Sequence, residues 1–504
     1  MYDTFIANIQ NAVFNDWIYA RLQNHLIIIV FFAGCMIRVI PEIVAYPYPI
    51  GYDVVNYYIP VITNLEEHWS VVSEQLPIYT LILYSLHSIT GLAPPLLVSV
   101  AGVLLYGFFS VSIFLTSSKM LRLNRIQSAY LALFVILQLP ALRTSWDLHK
   151  DILALSLLLT STSLLIPTAA KIRTFRMICS YFPALVAVSV DKMVGVLLVT
   201  SLFVYALAVR VRHFYLLSLI ISVIFSVAIL SQYGSIEQSF QPSQTSSESN
   251  DTNPSSSKNN FYALFALFFV VNGPLLIPGG FGFIRSDSGF LKISTTIAAV
   301  GSLSWLVFPD KQSLVADRWI FLFGIFLSVF AGYGVIEYLR ERVSARSGTK
   351  VLIILLATCV ILGTLYGTMP YQFTWTWQSI LGQNIEPYGP STMQFNSIAI
   401  KNSVKFTSMI SWINDNTPKN ALFIGENHWR GWMELELKEE RNFMYYDSQE
   451  SALHLVEHCK LESCYLIART SDSLEYLNEK VGKKELYQNE LLKIYAIREP
   501  IERR

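Results

Sequence analysis

Long apolar segments alternate with short polar ones over most of the chain. A helix of about 20 residues crosses the hydrocarbon core of a bilayer, which is about 30 Å thick. About eleven segments approach this length, and we predict membrane-spanning helices at residues 26–45, 95–116, 127–142, 151–168, 177–190, 193–209, 214–231, 261–283, 293–308, 319–338 and 351–369. Residues 77–91 are also apolar, but this segment is too short for a span and favours a re-entrant or interfacial helix.

The polar segments divide the chain into two predicted domains. Residues 1–370 are predicted to form a transmembrane α-helical bundle, and residues 371–504 a small soluble α/β domain. Within the first, the loop 232–260 is rich in Ser, Asn and Gln, which predicts external disorder. Within the second, short apolar strands alternate with helical segments. Strands are predicted at 421–425, 464–468 and 491–497, and helices at 404–414, 450–459 and 473–481.

Basic residues in short loops set the predicted orientation, because cytoplasmic loops carry an excess of Lys and Arg. Such loops occur at residues 119–125, 171–176, 210–212, 285–292 and 340–350. All of them lie on one face if the helix at 77–91 turns back, and that face then also holds the N-terminus. We therefore predict a multi-pass integral protein of the cell membrane with a cytoplasmic N-terminus and an extracytoplasmic C-terminal domain.

Composition agrees with a membrane protein and argues against several soluble classes. Charged residues make up 14% of the chain, whereas soluble proteins carry about 25%. The net charge of +1 argues neither for nor against nucleic acid as a partner, but the sequence lacks the basic stripe that nucleic-acid binding needs. The GxGxxG, P-loop, HExxH and GxSxG patterns are missing from the sequence, so we predict neither a cofactor nor a metal site.

The cysteines and the first residues carry two further expectations. Cys35, Cys179 and Cys359 lie in apolar segments and are expected to be core residues. Cys459 and Cys464 lie in the tail, where they either pair in an extracytoplasmic environment or remain free thiols. The first apolar segment lacks a small-residue cleavage site, so we expect a retained span rather than a cleavable signal peptide.

The first candidate for chemistry is Asp53, in the aromatic segment AYPYPIGYDVVNYYIP after the first predicted span. A carboxylate held among Tyr and Pro side chains is placed to act as a general base. Tyr57 and Tyr58 would stack on a sugar or anchor at the headgroup belt. The alternative is that Asp53 caps the helix that follows it and has no chemical role.

A second candidate group occupies the predicted loop at residues 143–150. Arg143, Asp147, Lys150 and Asp151 crowd into this short stretch, where cations would hold a lipid phosphate by charge-assisted hydrogen bonds. The alternative is an N-cap at Asp151 with ordinary headgroup contacts.

Two more polar groups lie at predicted membrane ends. Arg318, between Asp317 and Trp319, would bind a phosphate leaving group, or else would extend to the interface as basic side chains commonly do. Asp191 and Lys192 are expected to form a tight turn between two spans.

These segments together resemble the GT-C superfamily of membrane glycosyltransferases. The GYD loop with its tyrosines is similar to the loop that carries the catalytic Asp of that family. The stretch from the basic turn Lys119–Arg125 to Asp151–Leu155 looks like the third-to-fifth-helix region of protein-mannosyltransferase-like members. The span with Gly332-Tyr333-Gly334, followed by an external α/β tail, resembles their later helices.

The resemblance implies a hexosyltransferase whose active site faces outward. Its donor would be a dolichyl- or undecaprenyl-phosphate-linked sugar, and its acceptor a protein or a glycan. Asp53 would deprotonate the acceptor hydroxyl, and the anomeric carbon would invert as the lipid phosphate leaves. Arg143, Lys150 or Arg318 would stabilise the charge on that phosphate.

The sequence also departs from this family. Asp53 stands alone rather than in an acidic pair, a DxD motif is missing from the first loop, and His428–Trp432 does not match the WWDYG motif of oligosaccharyltransferases. Three alternatives therefore stay open: a surface-glycan ligase or polymerase, a transporter, and a non-catalytic membrane scaffold. Broken-helix signals occur at Gly273-Pro274 and Pro278–Gly280 without a counterpart in the other half, which argues against a transporter.

Overall fold

The computed structural model describes residues 25–66, 78–165, 174–209, 220, 254–307, 316–342, 345–367, 398, 400–426, 429–438, 441–446, 449–457, 459, 463–470 and 483–497. The N-terminal part of this chain is helical. Its helices are α1 (His25–Ala45), α2 (Val54–Thr63), α3 (Ile78–Thr90), α4 (Pro94–Lys119), α5 (Arg125–Ile136), α6 (Leu139–Asp147), α7 (His149–Leu165), α8 (Thr174–Val190), α9 (Lys192–Val209), α10 (Pro254–Arg285), α11 (Gly289–Ser302), α12 (Ala316–Arg342) and α13 (Ala345–Gly367).

Six of the described helices are long and apolar enough to cross a membrane, by length and composition. They are α1, α4, α9, α10, α11 and α12, and the bent pair α5–α6 makes up to seven. The predicted count of about eleven spans is not confirmed. The helices α7 and α8 have 17 residues each, and the predicted span at 214–231 lies almost wholly outside the described residues. The predicted disordered loop 232–260 lies outside them up to residue 253, but its last seven residues are helical and begin α10, so the prediction is wrong there.

Helix α12 lies at the centre of the bundle and is the most buried of these spans. Its closest neighbour is α10, and small residues let the two backbones approach. A Cβ added at Gly282 would collide with the Phe330 carbonyl, and one added at Gly334 with the Pro278 carbonyl. Such glycine contacts are typical of helix pairs in membranes, where van der Waals packing replaces the hydrophobic effect. They fix the C-terminal half of α12 against α10.

The prediction of a loop at residues 143–150 is wrong. Helix α5 ends at Ile136, and Pro140, near the start of α6, begins a second helix that is bent by 63° from the first. Arg143 and Asp147 lie one helical turn apart on α6, and both are buried. Several ionisable residues in a short stretch suggest a solvated turn. In the structure, however, Arg143 and Asp147 form an ion pair inside the protein.

The C-terminal part contains a mixed five-stranded sheet with the order β2-β1-β3-β5-β4. Strand β1 pairs in parallel with β2 and β3, and β5 runs antiparallel to β3 and β4. Three helices accompany these strands. The elements are α14 (Ile400–Asn416), β1 (Leu422–Glu426), α15 (Arg430–Glu436), β2 (Asn442–Tyr446), α16 (Gln449–Glu457), β3 (Cys464–Arg469), β4 (Lys483–Gln488) and β5 (Leu492–Ile497).

The three predicted strands are confirmed as β1, β3 and β5, and the helices predicted at 404–414 and 450–459 as α14 and α16. The edge strands β2 and β4 were not predicted, because an edge strand need not bury a continuous apolar face. Residues 473–481 lie outside the described part of the chain. Cys459 and Cys464 form a disulfide, which decides between the two alternatives for these cysteines.

The C-terminal domain contacts the bundle through the segment that carries Asp53. The backbone N–H of Gly431 on α15 donates to Oδ1 of Asn56 on α2 at 3.0 Å. Val55 packs into the core of the C-terminal domain, and the ring of Tyr48 lies 5.9 Å from that of Trp432. The loop between α1 and α2 is therefore held from both sides. The predicted boundary at residue 370 lies outside the described residues and stays a prediction.

Candidate functional site

Gly51 brings the loop after α1 against the junction of α6 and α7. Its φ of +109° favours glycine. A Cβ at this position would lie 2.5 Å from the carbonyl oxygen of Trp146 and 2.9 Å from the Cα of Asp147. Only glycine permits this backbone approach, and it places Asp53, two residues later, at the end of the bundle where α6 ends.

Asp53 is buried and faces Arg318. Its Oδ2 atom lies 3.7 Å from Nη2 of Arg318, in the first turn of α12. The side chain makes no capping hydrogen bond to α2, so the interpretation of Asp53 as an ordinary helix cap is wrong. Arg318 is directed at a carboxylate instead of extending to the interface. Two residues that are far apart in the sequence thus form one ion pair at the end of the bundle.

Further carboxylates surround Arg318. Its guanidinium interacts electrostatically with Asp151, Asp317 and Asp191 as well as with Asp53. Asp151 lies in the first turn of α7, which begins at His149, so it is not the N-cap of that helix. A small cavity beside the ion pair is lined by both Arg318 and Asp151. This cluster is the candidate site, and Arg318 supplies the positive charge at its centre.

The expected turn at Asp191 and Lys192 is present between α8 and α9. The Asp191 Oδ1 atom accepts a hydrogen bond from the backbone N–H of Val194 at 2.8 Å, which caps the start of α9. Asp191 therefore has a structural role in addition to its position near Arg318.

Arg143 and Asp147 form a buried double hydrogen bond beside the cluster. The Nη1–Oδ1 distance is 2.5 Å and the Nη2–Oδ2 distance is 3.1 Å. Asp147 also interacts electrostatically with Asp53 and Arg318. The guanidinium of Arg143 is thus committed to Asp147 in this structure, while Lys150 interacts with Asp151. The predicted site residues converge, but not every cation among them faces the same cavity.

The two predicted tyrosines have different surroundings. Tyr58 is buried, stacks on His149 with 5.7 Å between ring centroids, and contacts Tyr79. Tyr57 is half-buried and interacts electrostatically with Asp53 and Arg318. Burial, and then the charge of Asp53, raise the pKa of Tyr57 above its ordinary value, so its phenol stays protonated at neutral pH and can donate a hydrogen bond.

Sequence reasoning missed a buried polar group next to this site. Arg38 of α1 lies 2.7 Å from Glu42 and donates from Nε to the backbone oxygen of Ser145 at 3.0 Å. His149 contacts the hydroxyl of Tyr79 at 3.1 Å through Nδ1. The signal was an arginine inside an apolar span with an acid one turn later, because an intramembrane charge needs a partner. Packing alone shows that Arg38 supports α6.

Within the described part of the chain, no group of three or more His, Cys, Asp or Glu side chains is arranged to hold a metal ion.

Comparison with known proteins rests on structure. No protein-family model matches the sequence, and no curated protein matches it either. The fold is similar to the crystal structure of ArnT from Cupriavidus metallidurans bound to undecaprenyl phosphate, with a TM-score of 0.51 and 11% identity. The match covers 95% of this chain and 98% of that one.

The chain shares the fold of that ArnT structure. The expected architecture of a multi-pass helical membrane protein with a small sheet domain is thereby supported over nearly the whole length, although the number of spans is not. At 11% identity the shared fold is what the similarity shows, and it carries no residue-by-residue correspondence.

Proposed function

We propose that this protein is a membrane glycosyltransferase that moves a sugar from a polyprenyl-phosphate donor to an acceptor hydroxyl. The observation that carries the proposal is the ion pair of Asp53 and Arg318 at the end of a GT-C-like bundle, where Arg318 also lines a small cavity. The pair offers a base and an anion-binding group within a few ångströms of each other. Undecaprenyl phosphate bound to the similar protein ArnT supports a donor of the polyprenyl-phosphate class.

In the proposed reaction the acceptor oxygen attacks the anomeric carbon of the donor sugar. The bond between that carbon and the phosphate oxygen breaks, and polyprenyl phosphate leaves as an anion with inversion at the carbon. Asp53 takes the proton of the acceptor hydroxyl, and Arg318 binds the phosphate, whose negative charge grows as the bond breaks. Arg143 positions Asp147 instead of contacting the phosphate, because its guanidinium is already hydrogen-bonded.

The first test removes the base without changing its shape. Asp53→Asn should lower kcat by about 10²–10⁴-fold, the usual contribution of a positioned general base. The measurement is transfer of tritium-labelled sugar from polyprenyl phosphate in membranes of the native host that contain the full-length protein.

The second test removes the group proposed to bind the phosphate. Arg318→Ala should lower transfer in the same assay by about 10²–10³-fold. Arg318→Lys should retain part of the activity, because the positive charge stays but the planar guanidinium is lost.

The matched control is Glu341→Gln, which removes the carboxylate of another ion pair. Glu341 lies at the opposite end of α12 and pairs with Arg285 of α10. The variant should transfer sugar at the wild-type rate. Thermal unfolding in detergent checks that Asp53→Asn remains folded. Full activity of a folded Asp53→Asn protein would remove Asp53 from the mechanism and favour a non-catalytic scaffold.

A further inference from the structure

A polar cleft of about 630 Å³ lies between the bundle and the C-terminal domain. Helix α2 forms one wall with Ile59, Pro60 and Thr63, and Asn64 follows that helix. Helix α15, the turn after it and strand β2 form the other wall. This volume is within the range of about 300–1,000 Å³ found for small-molecule sites. Neither domain encloses the cleft alone.

The second wall combines planar polar groups with aromatic faces. Arg430, Glu434 and Asn442 supply hydrogen-bond donors and acceptors, and Phe443 and Tyr445 supply rings. Vicinal sugar hydroxyls require paired donors and acceptors, and the C–H face of a sugar ring packs against an aromatic ring. An acyl chain would need a continuous apolar lining, which this wall lacks.

Arg430 is already fixed in orientation. Its Nε donates to Glu434 at 2.7 Å, and its guanidinium lies 5.3 Å from the ring centroid of Tyr445. A prepositioned side chain loses less conformational entropy when a ligand binds. Arg441, in contrast, donates to the backbone oxygens of Asn414 and Thr417 and holds the turn in place.

Tyr57 connects this cleft with the candidate site. Its phenol interacts electrostatically with Asp53 and Arg318 on one side and with Arg430 and Tyr445 on the other. It lies on the same helix as the residues of the first wall. Tyr57 therefore lies near both the cleft wall and the ion pair of Asp53 and Arg318.

We propose that the cleft binds a glycan acceptor, with Arg430 and Tyr445 as its main contacts and Tyr57 guiding the accepting hydroxyl to Asp53. This inference rests on the proposed transferase function and names the acceptor class, a saccharide rather than a peptide. The C-terminal domain then supplies acceptor specificity, while the bundle holds the donor.

The test uses the full-length protein in native-host membranes, with tritium-labelled sugar on polyprenyl phosphate as the donor. Oligosaccharides released from the cell envelope of that host are the added acceptor. Arg430→Ala and Tyr445→Ala should each raise the apparent KM for these oligosaccharides by about tenfold, the effect of one lost contact to a charged or aromatic group. The KM for the donor lipid serves as the internal reference, and the labelled product should resist proteinase.

The matched control is Arg469→Ala. Arg469, like Arg430, donates to a glutamate of the same domain, in this case through two hydrogen bonds to Glu426, but it does not line the cleft. Its acceptor KM should equal that of the wild type. An unchanged KM in the Arg430 and Tyr445 variants, or a product that is a protease-sensitive glycopeptide, would overturn the glycan site and leave the transferase intact. Absence of transfer by the wild type itself would overturn both proposals.

Discussion

At the scale of single residues, Gly51 positions the candidate base. It has a positive φ, so any other residue at this position would strain the backbone. It also contacts the backbone of Trp146 and Asp147, with which an added Cβ would collide. Strain of this kind costs about 1–3 kcal/mol. Gly51→Ala should therefore move Asp53 away from Arg318 and abolish most sugar transfer, as measured in the membrane assay, while the protein is still made and inserted.

The control for this change is Gly91→Ala. Gly91 also has a positive φ, but a Cβ there would meet nothing within 4 Å. The Gly91→Ala change should lower the free energy of unfolding by a similar amount, and the variant should keep its transfer activity. Equal activity of the two variants would show that the contact of Gly51 with Trp146 does not position Asp53.

At the scale of elements, helix α3 decides which residues share a compartment. It has 13 residues, and at 1.5 Å per residue this is about two thirds of the hydrocarbon thickness. Asp53 precedes α3, and α6 and α7 follow it, yet the structure brings their ends together. The sidedness deduced from basic loops agrees with this arrangement, and it predicts that both ends of α3 face the same side of the membrane.

Cysteine labelling tests that prediction. In a protein whose three cysteines outside the Cys459–Cys464 disulfide, Cys35, Cys179 and Cys359, are changed to Ala, Asn64→Cys and Leu92→Cys should react with a membrane-impermeant maleimide from the same side. Lys119→Cys, at the other end of α4, is the control and should react only after the membrane is permeabilised. Labelling of Asn64→Cys and Leu92→Cys from opposite sides would mean that α3 crosses the bilayer.

At the scale of the whole molecule, the C-terminal domain covers the segment that holds Asp53. Gly431 allows the contact, because a Cβ there would collide with the backbone oxygen of Val55. Overpacking of this kind costs about 1–3 kcal/mol. Gly431→Val should loosen the domain from α2, so that trypsin releases a C-terminal fragment faster than from the wild type.

Gly280→Val is the matched change in α10, since a Cβ at Gly280 meets nothing within 4 Å. Its digestion should follow the wild-type time course. If Gly431→Val were as resistant as the wild type, the contact between α15 and α2 would not hold the two domains together.

Prediction from sequence succeeded where the signal is local. The strand pattern of Cys464–Arg469 and the aromatic setting of Asp53 are visible in a few neighbouring residues. It failed for Arg143 and Arg38, because a charge in a sequence looks the same whether it faces solvent or a buried partner. The partner of Arg38 on α6, the carbonyl of Ser145, could be found only after the helices were packed.

The sequence by itself determined that the chain is a multi-pass membrane protein with a small α/β tail, since runs of apolar residues and short strands are properties of contiguous segments. It also supplied Asp53 and Arg318 as separate candidates. Only the tertiary structure decided that these two form an ion pair and that Arg143 pairs with Asp147. It also decided that the C-terminal domain and α2 together line a cleft. Distances between residues on different helices follow from how the helices pack, which periodicity along one segment does not encode.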